Sequence, residues 1–174
     1  NLPFRVVPSN IDESHLCDED AEALVKRLAT KKARKVAKSM PNALLIGSDQ
    51  VAVHGTQILG KPADREDAIS QLRSASGSRV HLYTGVALLN AYTSRMQVDV
   101  VPFTVDFRML SEDAIKRYLD IEQPYGCCGS LMVDGLGITL LEKVTGDDPS
   151  ALIGLPLITL TRMLEVEGLL TSPS

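Results

Sequence analysis

The stretch Ala43-Leu44-Leu45-Ile46-Gly47-Ser48-Asp49-Gln50-Val51 sets an apolar run directly against a hydroxyl, a carboxylate and an amide. A short run of this kind fits a strand buried on both faces. Gly47 then predicts a turn, and in open α/β sheets ligands bind just beyond the carboxyl ends of strands. Asp49 is therefore the first candidate for chemistry, with Ser48 beside it. Ser48 and Asp49 equally suit a turn or a helix cap, so this stretch alone leaves both readings open.

Upstream of it, Asp18 or Asp20 can cap a helix from about Ala21 to Ser39. Leu24, Val25, Leu28, Ala29, Ala33 and Val36 recur there at spacings of three and four, which buries one face. Lys32 borders that stripe and can reach past its edge. Nearer the start, Phe4 to Pro8 predicts a short strand, followed by a polar loop with the adjacent acids Asp12 and Glu13. Downstream, Gly60-Lys61-Pro62 puts a lysine on a tight turn, where it is either solvated or a point charge for phosphate. Asp64 to Ser74 reads as a helix. Two long strands follow, Arg79 to Ala91 and Arg95 to Leu110, joined by a hairpin loop. Pro102 marks an edge or a bulge in the second. Ser111 caps a further helix, Ile138 to Val144 predicts a strand, and a last helix runs from Gly154-Leu155-Pro156-Leu157 to about Glu167. This order gives an α/β fold, with a mixed twisted sheet flanked by helices in a single domain over residues 1–174.

Composition narrows the function. With 22 acids against 18 bases the formal net charge is −4, so no global basic field exists for nucleic acid. The local cluster Lys26-Arg27, Lys31-Lys32, Arg34-Lys35 reads as a solvated helix face with local phosphate contacts. Cys17, Cys127 and Cys128 form neither a disulfide framework nor a zinc spacing. They fit a reducing, cytoplasmic compartment, with the vicinal Cys127 and Cys128 read as buried small residues or, alternatively, as reactive thiols. No apolar run reaches the roughly 18 residues of a membrane span, so no membrane partner is expected. No Walker loop, Ser-His-Asp signature or HExxH pattern occurs.

Taken in order, these pieces resemble the Maf family of nucleotide pyrophosphatases. The resemblance is carried by Asp12-Glu13, Lys32-Ala33, Gly47-Ser48-Asp49-Gln50-Val51 and Gly60-Lys61-Pro62. It continues through Ser76-Gly77, His81, Tyr83-Thr84-Gly85-Val86, Phe107-Arg108, Leu110-Ser111 and Gly154-Leu155-Pro156-Leu157. Each motif is short; together, in family order from residue 11 to 157, they are specific. The family pattern opens with a strand and a Ser-x-Ser-x-Arg-Arg stretch that nothing here matches, so a strand, a helix and two arginines are expected upstream of Asn1.

The resemblance implies hydrolysis of nucleoside triphosphates to monophosphate and pyrophosphate with a divalent metal, Mg²⁺ or Mn²⁺. It implies two lobes around a cleft near Asp49, and homodimers are common in the family. Asp49 would be the proton acceptor or a metal ligand, with Glu13 helping to hold metal or water. Lys32 and Lys61 would face phosphate oxygens. Gln50, Cys128-Gly129-Ser130 and Asp134-Gly135 look like the branch acting on 7-methyl-GTP; other branches prefer dTTP and UTP. Methylated guanine carries a positive ring charge, which Gln50 and Asp134 would favour. Ser48 completes the expected substrate-binding set. A non-catalytic nucleotide-binding regulator of cell division is the alternative from another class.

Overall fold

A computed structural model describes residues 2–170 of the chain. Helix α1 (Ala21–Ala37) starts where the Asp20 carboxylate accepts the Ala23 N–H at 2.8 Å. Helix α2 (Arg65–Ala75) starts in the same way on Asp64, and helix α3 (Glu112–Glu122) on the Ser111 hydroxyl. Each cap satisfies one backbone donor that the first turn leaves free. Helix α4 (Leu157–Val166) begins after Pro156.

Strands β1 (Leu44–His54), β2 (Gln57–Leu59), β3 (Arg79–Asn90), β4 (Arg95–Phe107) and β5 (Leu141–Thr145) form one sheet in the order β2-β1-β3-β4-β5. The α/β class is the one expected, but every pairing is antiparallel where a mixed sheet was expected. Strand side chains alternate between faces. In β1, Leu45, Gly47, Asp49 and Val51 face α1, whose Ala29, Ala33, Leu24, Val25 and Leu28 pack on them and on Ala87 and Leu89 of β3. Ser48, Gln50 and Ala52 face the other way. There α2 and α3 cover Ala52, Val80, Leu82 and Phe103, and α4 covers Val86 and Leu88.

Gly47 is not at a turn. It lies inside β1 because α1 sits directly on it: a Cβ there would stand 2.2 Å from the Ala29 carbonyl oxygen. Gly85, paired with Asp49 on the neighbouring strand, meets α1 in the same way, with the Val25 carbonyl 2.5 Å from a notional Cβ. The strand therefore runs on to His54. Asp49 projects from its middle and not from beyond its end, and β1 is not buried on both faces, since Ile46 is exposed.

Three further expectations differ. Phe4 to Pro8 forms no strand, and Phe4 and Val6 are exposed; no described strand pairs with it, and an extended segment without a ladder partner lacks what stabilises a strand. The strand expected from Ile138 starts at Leu141, because Leu136–Leu140 forms a 3-10 turn in which the Thr139 hydroxyl donates to the Leu136 carbonyl. Pro102 does lie at an open edge, since β5 pairs with β4 only from Thr104 onward; the irregularity in that pairing falls at Asp106/Phe107.

Candidate active site

On the α1 face of β1, Lys32 reaches over the helix edge to two carboxylates. Its Nζ donates to Asp49 Oδ1 at 2.5 Å and lies 2.9 Å from Glu13 Oε1. Lys61, on the turn after β2, stands 4.0 Å from the other Glu13 oxygen and is largely exposed. Asp49, Glu13, Lys32 and Lys61, far apart in sequence, thus form one cluster at the edge of α1. Its geometry follows from the glycines: with Gly47 and Gly85 beneath it, α1 lies low enough for a lysine on its rim to touch a mid-strand aspartate.

The electrostatics of the cluster differ between its members. Burial pushes the Asp49 carboxyl above the usual aspartate range, although the Lys32 ammonium pulls the other way. Glu13 is held below its usual range, first by its bond to Lys32. Burial works against the Lys32 charge, but its bonds to Asp49 and Glu13 prevail and raise its pKa. An ammonium already lies between two carboxylates, so the same pair suits another cation. Among the described residues no group of three or more His, Cys, Asp or Glu converges. Two carboxylates completed by ligand oxygens and water form a donor set that magnesium accepts.

Ser48 and Gln50, expected beside Asp49, point to the opposite face. The Ser48 hydroxyl lies 2.8 Å from the Gly85 carbonyl and 2.7 Å from that of Gly154. Gln50 Nε2 donates to Thr84 Oγ1 at 2.8 Å and to the Ala151 carbonyl at 2.7 Å, while its Oε1 accepts the Cys128 thiol at 3.4 Å. Both amide donors are occupied. The Cys128 thiol is pushed up to about 12 by burial, which keeps it a neutral donor. Asp134 is exposed in the turn after Leu131. Its charge is felt at Cys127, whose thiol is raised first by burial and then by Asp134.

Several residues with a part in this arrangement were given no role of their own by sequence. Thr84 is fully buried and donates to the same Ala151 carbonyl that Gln50 holds. Asp148 is buried and accepts from the Ser150 hydroxyl and from the Ser150 and Ile158 N–H groups. It fixes the 3-10 turn Pro149–Ile153 against the start of α4. The Gly129 N–H donates to the Gly60 carbonyl at 3.1 Å, tying the Cys127–Ser130 loop to the Lys61 turn. Strict two-residue alternation along β1 is the signal that would have separated Asp49 from Ser48 and Gln50.

An α/β protein that sets two carboxylates against two lysines at the rim of one helix carries the groups that a class handling a polyanion with a cation requires. Comparison with known proteins narrows that class. The family model described as Maf-like protein matches residues 1–167. A 7-methyl-GTP pyrophosphatase of Nitrosococcus oceani is 54% identical over 167 residues, covering 96% of this chain and 84% of its own length. Enzymes of the same name from Pseudomonas fluorescens and Alcanivorax borkumensis are 54% and 55% identical, covering 98% and 96% of this chain and 88% and 85% of theirs. The chain belongs to the Maf family. No helix among the described residues is long and apolar enough to cross a membrane.

Proposed function

We propose that this protein hydrolyses 7-methyl-GTP to 7-methyl-GMP and diphosphate. The observation that carries the reading is the cluster in which Lys32 bonds both Asp49 and Glu13, with Lys61 beside it; the names of its relatives supply the substrate. In the reaction a water oxygen bonds to phosphorus, the bond between the α- and β-phosphates breaks, and diphosphate leaves. Asp49, raised by burial and so a stronger base than Glu13, is the carboxylate suited to take the water's proton. Lys32 and Lys61 neutralise phosphate oxygens as charge builds on the leaving group. Asp49 and Glu13 are the residues that would hold a divalent cation, Mg²⁺ or Mn²⁺, which when bound neutralises further phosphate charge. Gln50 acts on base choice indirectly, by fixing the Cys128 loop, while Asp134 offers a free carboxylate to the cationic methylguanine ring.

The test is diphosphate release with Mg²⁺ or Mn²⁺ across 7-methyl-GTP, GTP, dTTP and UTP. Preference for 7-methyl-GTP, lost in Asp49→Asn, is the expected outcome. Preference for dTTP or UTP would keep the enzyme and overturn the substrate. No release from any nucleotide by the folded protein would leave a nucleotide-binding regulator.

A further inference from the structure

On the sheet face opposite α1, a cavity of about 500 Å³ opens between the end of β4, helix α3 and the 3-10 turn Leu136–Leu140. That volume lies in the range of small-molecule pockets. None of its lining residues belongs to the Asp49 cluster, and the case for it is independent of the proposed function. Helix α3 presents Ala114, Arg117, Tyr118 and Ile121 to it, one stripe at helical spacing. Ile115 and Leu119, on the neighbouring stripe, are buried in the core instead. Tyr118, itself buried and bonded to the Ser130 carbonyl and the Met132 N–H, forms the edge where core and cavity meet, while Arg117 and Ile121 are exposed and the small Ala114 side chain leaves the room.

The charge at this cavity is one-sided. Arg108 and Arg117 both line it, and among the described residues neither pairs with a carboxylate. Arg27, Arg65, Arg73, Arg79 and Arg95 each do, whereas Arg5, Arg34 and Arg162, like these two, do not; what sets Arg108 and Arg117 apart is that they share one cavity. Arg108 donates to the Thr139 carbonyl at 3.2 Å, which anchors it at the cavity and leaves further donors. Two guanidinium groups without carboxylate partners among the described residues, beside an apolar floor, are complementary to a ligand with one anionic end.

We propose that this cavity binds a small amphipathic anion, with an apolar body seated on the α3 stripe and a carboxylate or phosphate end on Arg108 and Arg117. The probe is 1-anilinonaphthalene-8-sulfonate, an aromatic body with one anionic group, followed by fluorescence. Saturable binding is expected, weakened about tenfold in Arg117→Gln and less in Arg117→Lys. The uncharged relative N-phenyl-1-naphthylamine should show no such difference between parent and Arg117→Gln. Displacement of the sulfonate by octyl phosphate or by octanoate supports the site and identifies the preferred head group. Ala114→Phe, checked for folding by circular dichroism, should abolish binding by filling the cavity; if it fails to fold, the Arg117 pair carries the test. Equal affinity in parent, Arg108→Gln and Arg117→Gln would overturn the proposal. So would loss of binding in Lys32→Gln, which would put the probe at the Asp49 cluster, or exclusion of the probe by self-association.

Discussion

The two faces of β1 are built from the same eleven residues and do opposite things. On the α1 side, Asp49 meets Lys32 in a charged cluster that still has room for exchange: Glu13 and Lys61 are partly or largely exposed. On the other side, Ser48 and Gln50 spend their polar groups on Gly85, Thr84, Ala151, Gly154 and Cys128. One face keeps charge available to a ligand, and the other is closed upon itself. Neighbouring residues in sequence are therefore poor guides to neighbouring surroundings, and the strand acts as a partition between the charged cluster and the clamp that holds the flanking loops.

The sharpest way to break this comparison is Asp49→Asn. Diphosphate release from 7-methyl-GTP should fall by about 100- to 10,000-fold, with the circular dichroism spectrum unchanged. A comparable loss in Gln50→Leu would mean that both faces do chemistry. Lys32→Gln should cost about 100-fold in kcat/KM. In metal-free protein, carbon NMR of the Asp49 carboxyl should show its pKa rising further, because the ammonium that opposes burial is gone. An unmoved Asp49 titration would disconnect the pair.

Gly85→Ala addresses the seat of α1 and should destabilise the fold by about 3 kcal/mol in urea unfolding, since the added Cβ meets backbone that cannot swing aside. Gln50→Leu should cost about 1–3 kcal/mol, as Thr84 and the Ala151 carbonyl lose a partner inside the protein. Its ratio of kcat/KM for 7-methyl-GTP over GTP should move less than that of Asp134→Asn. The smallest effect belongs to Asp148. Burial pushes its carboxyl up, but the bonds from Ser150 and from the Ile158 and Thr159 backbone outweigh that and hold it below the usual 3.8. A depressed carboxylate contributes stability above its unfolded pKa and loses it as pH falls through the lower folded value. Asp148→Asn should thus flatten the decline in stability below about pH 4, measured as Tm against pH, at a cost near 1 kcal/mol at neutrality.

Much of this was legible in sequence because it is local. The apolar spacing of α1 and the caps Asp20, Asp64 and Ser111 fall within a few residues of what they control. The strands at Arg79 and Arg95 announced themselves by length and β-rich composition. Asp49 was singled out by its strand and Lys61 by its turn, a family resemblance gave Glu13 and Lys32 their roles, and the fold brings all four together. What escaped is tertiary. Gly47 looked like a turn because the helix lying on it comes from elsewhere in the chain. Gln50 looked free because its partners are 34, 78 and 101 residues away. Phe4 to Pro8 had the composition of a strand, but composition supplies no neighbouring strand.

Gly47 and Gly85 also bear on how the chain finds its register. A slip of one residue in β1 would exchange its two faces, setting Ser48 or Ile46 under Ala29 and turning Asp49 toward the wrong side. Any side chain at that point would collide with the helix backbone, so the misaligned sheet cannot dock α1 at all. The pair of glycines works as a key: folding proceeds to a seated helix only in the alignment that also delivers the aspartate to its lysine. A protein that reached its compact state in this way would exclude from its folded population the isomers whose chemistry points inward.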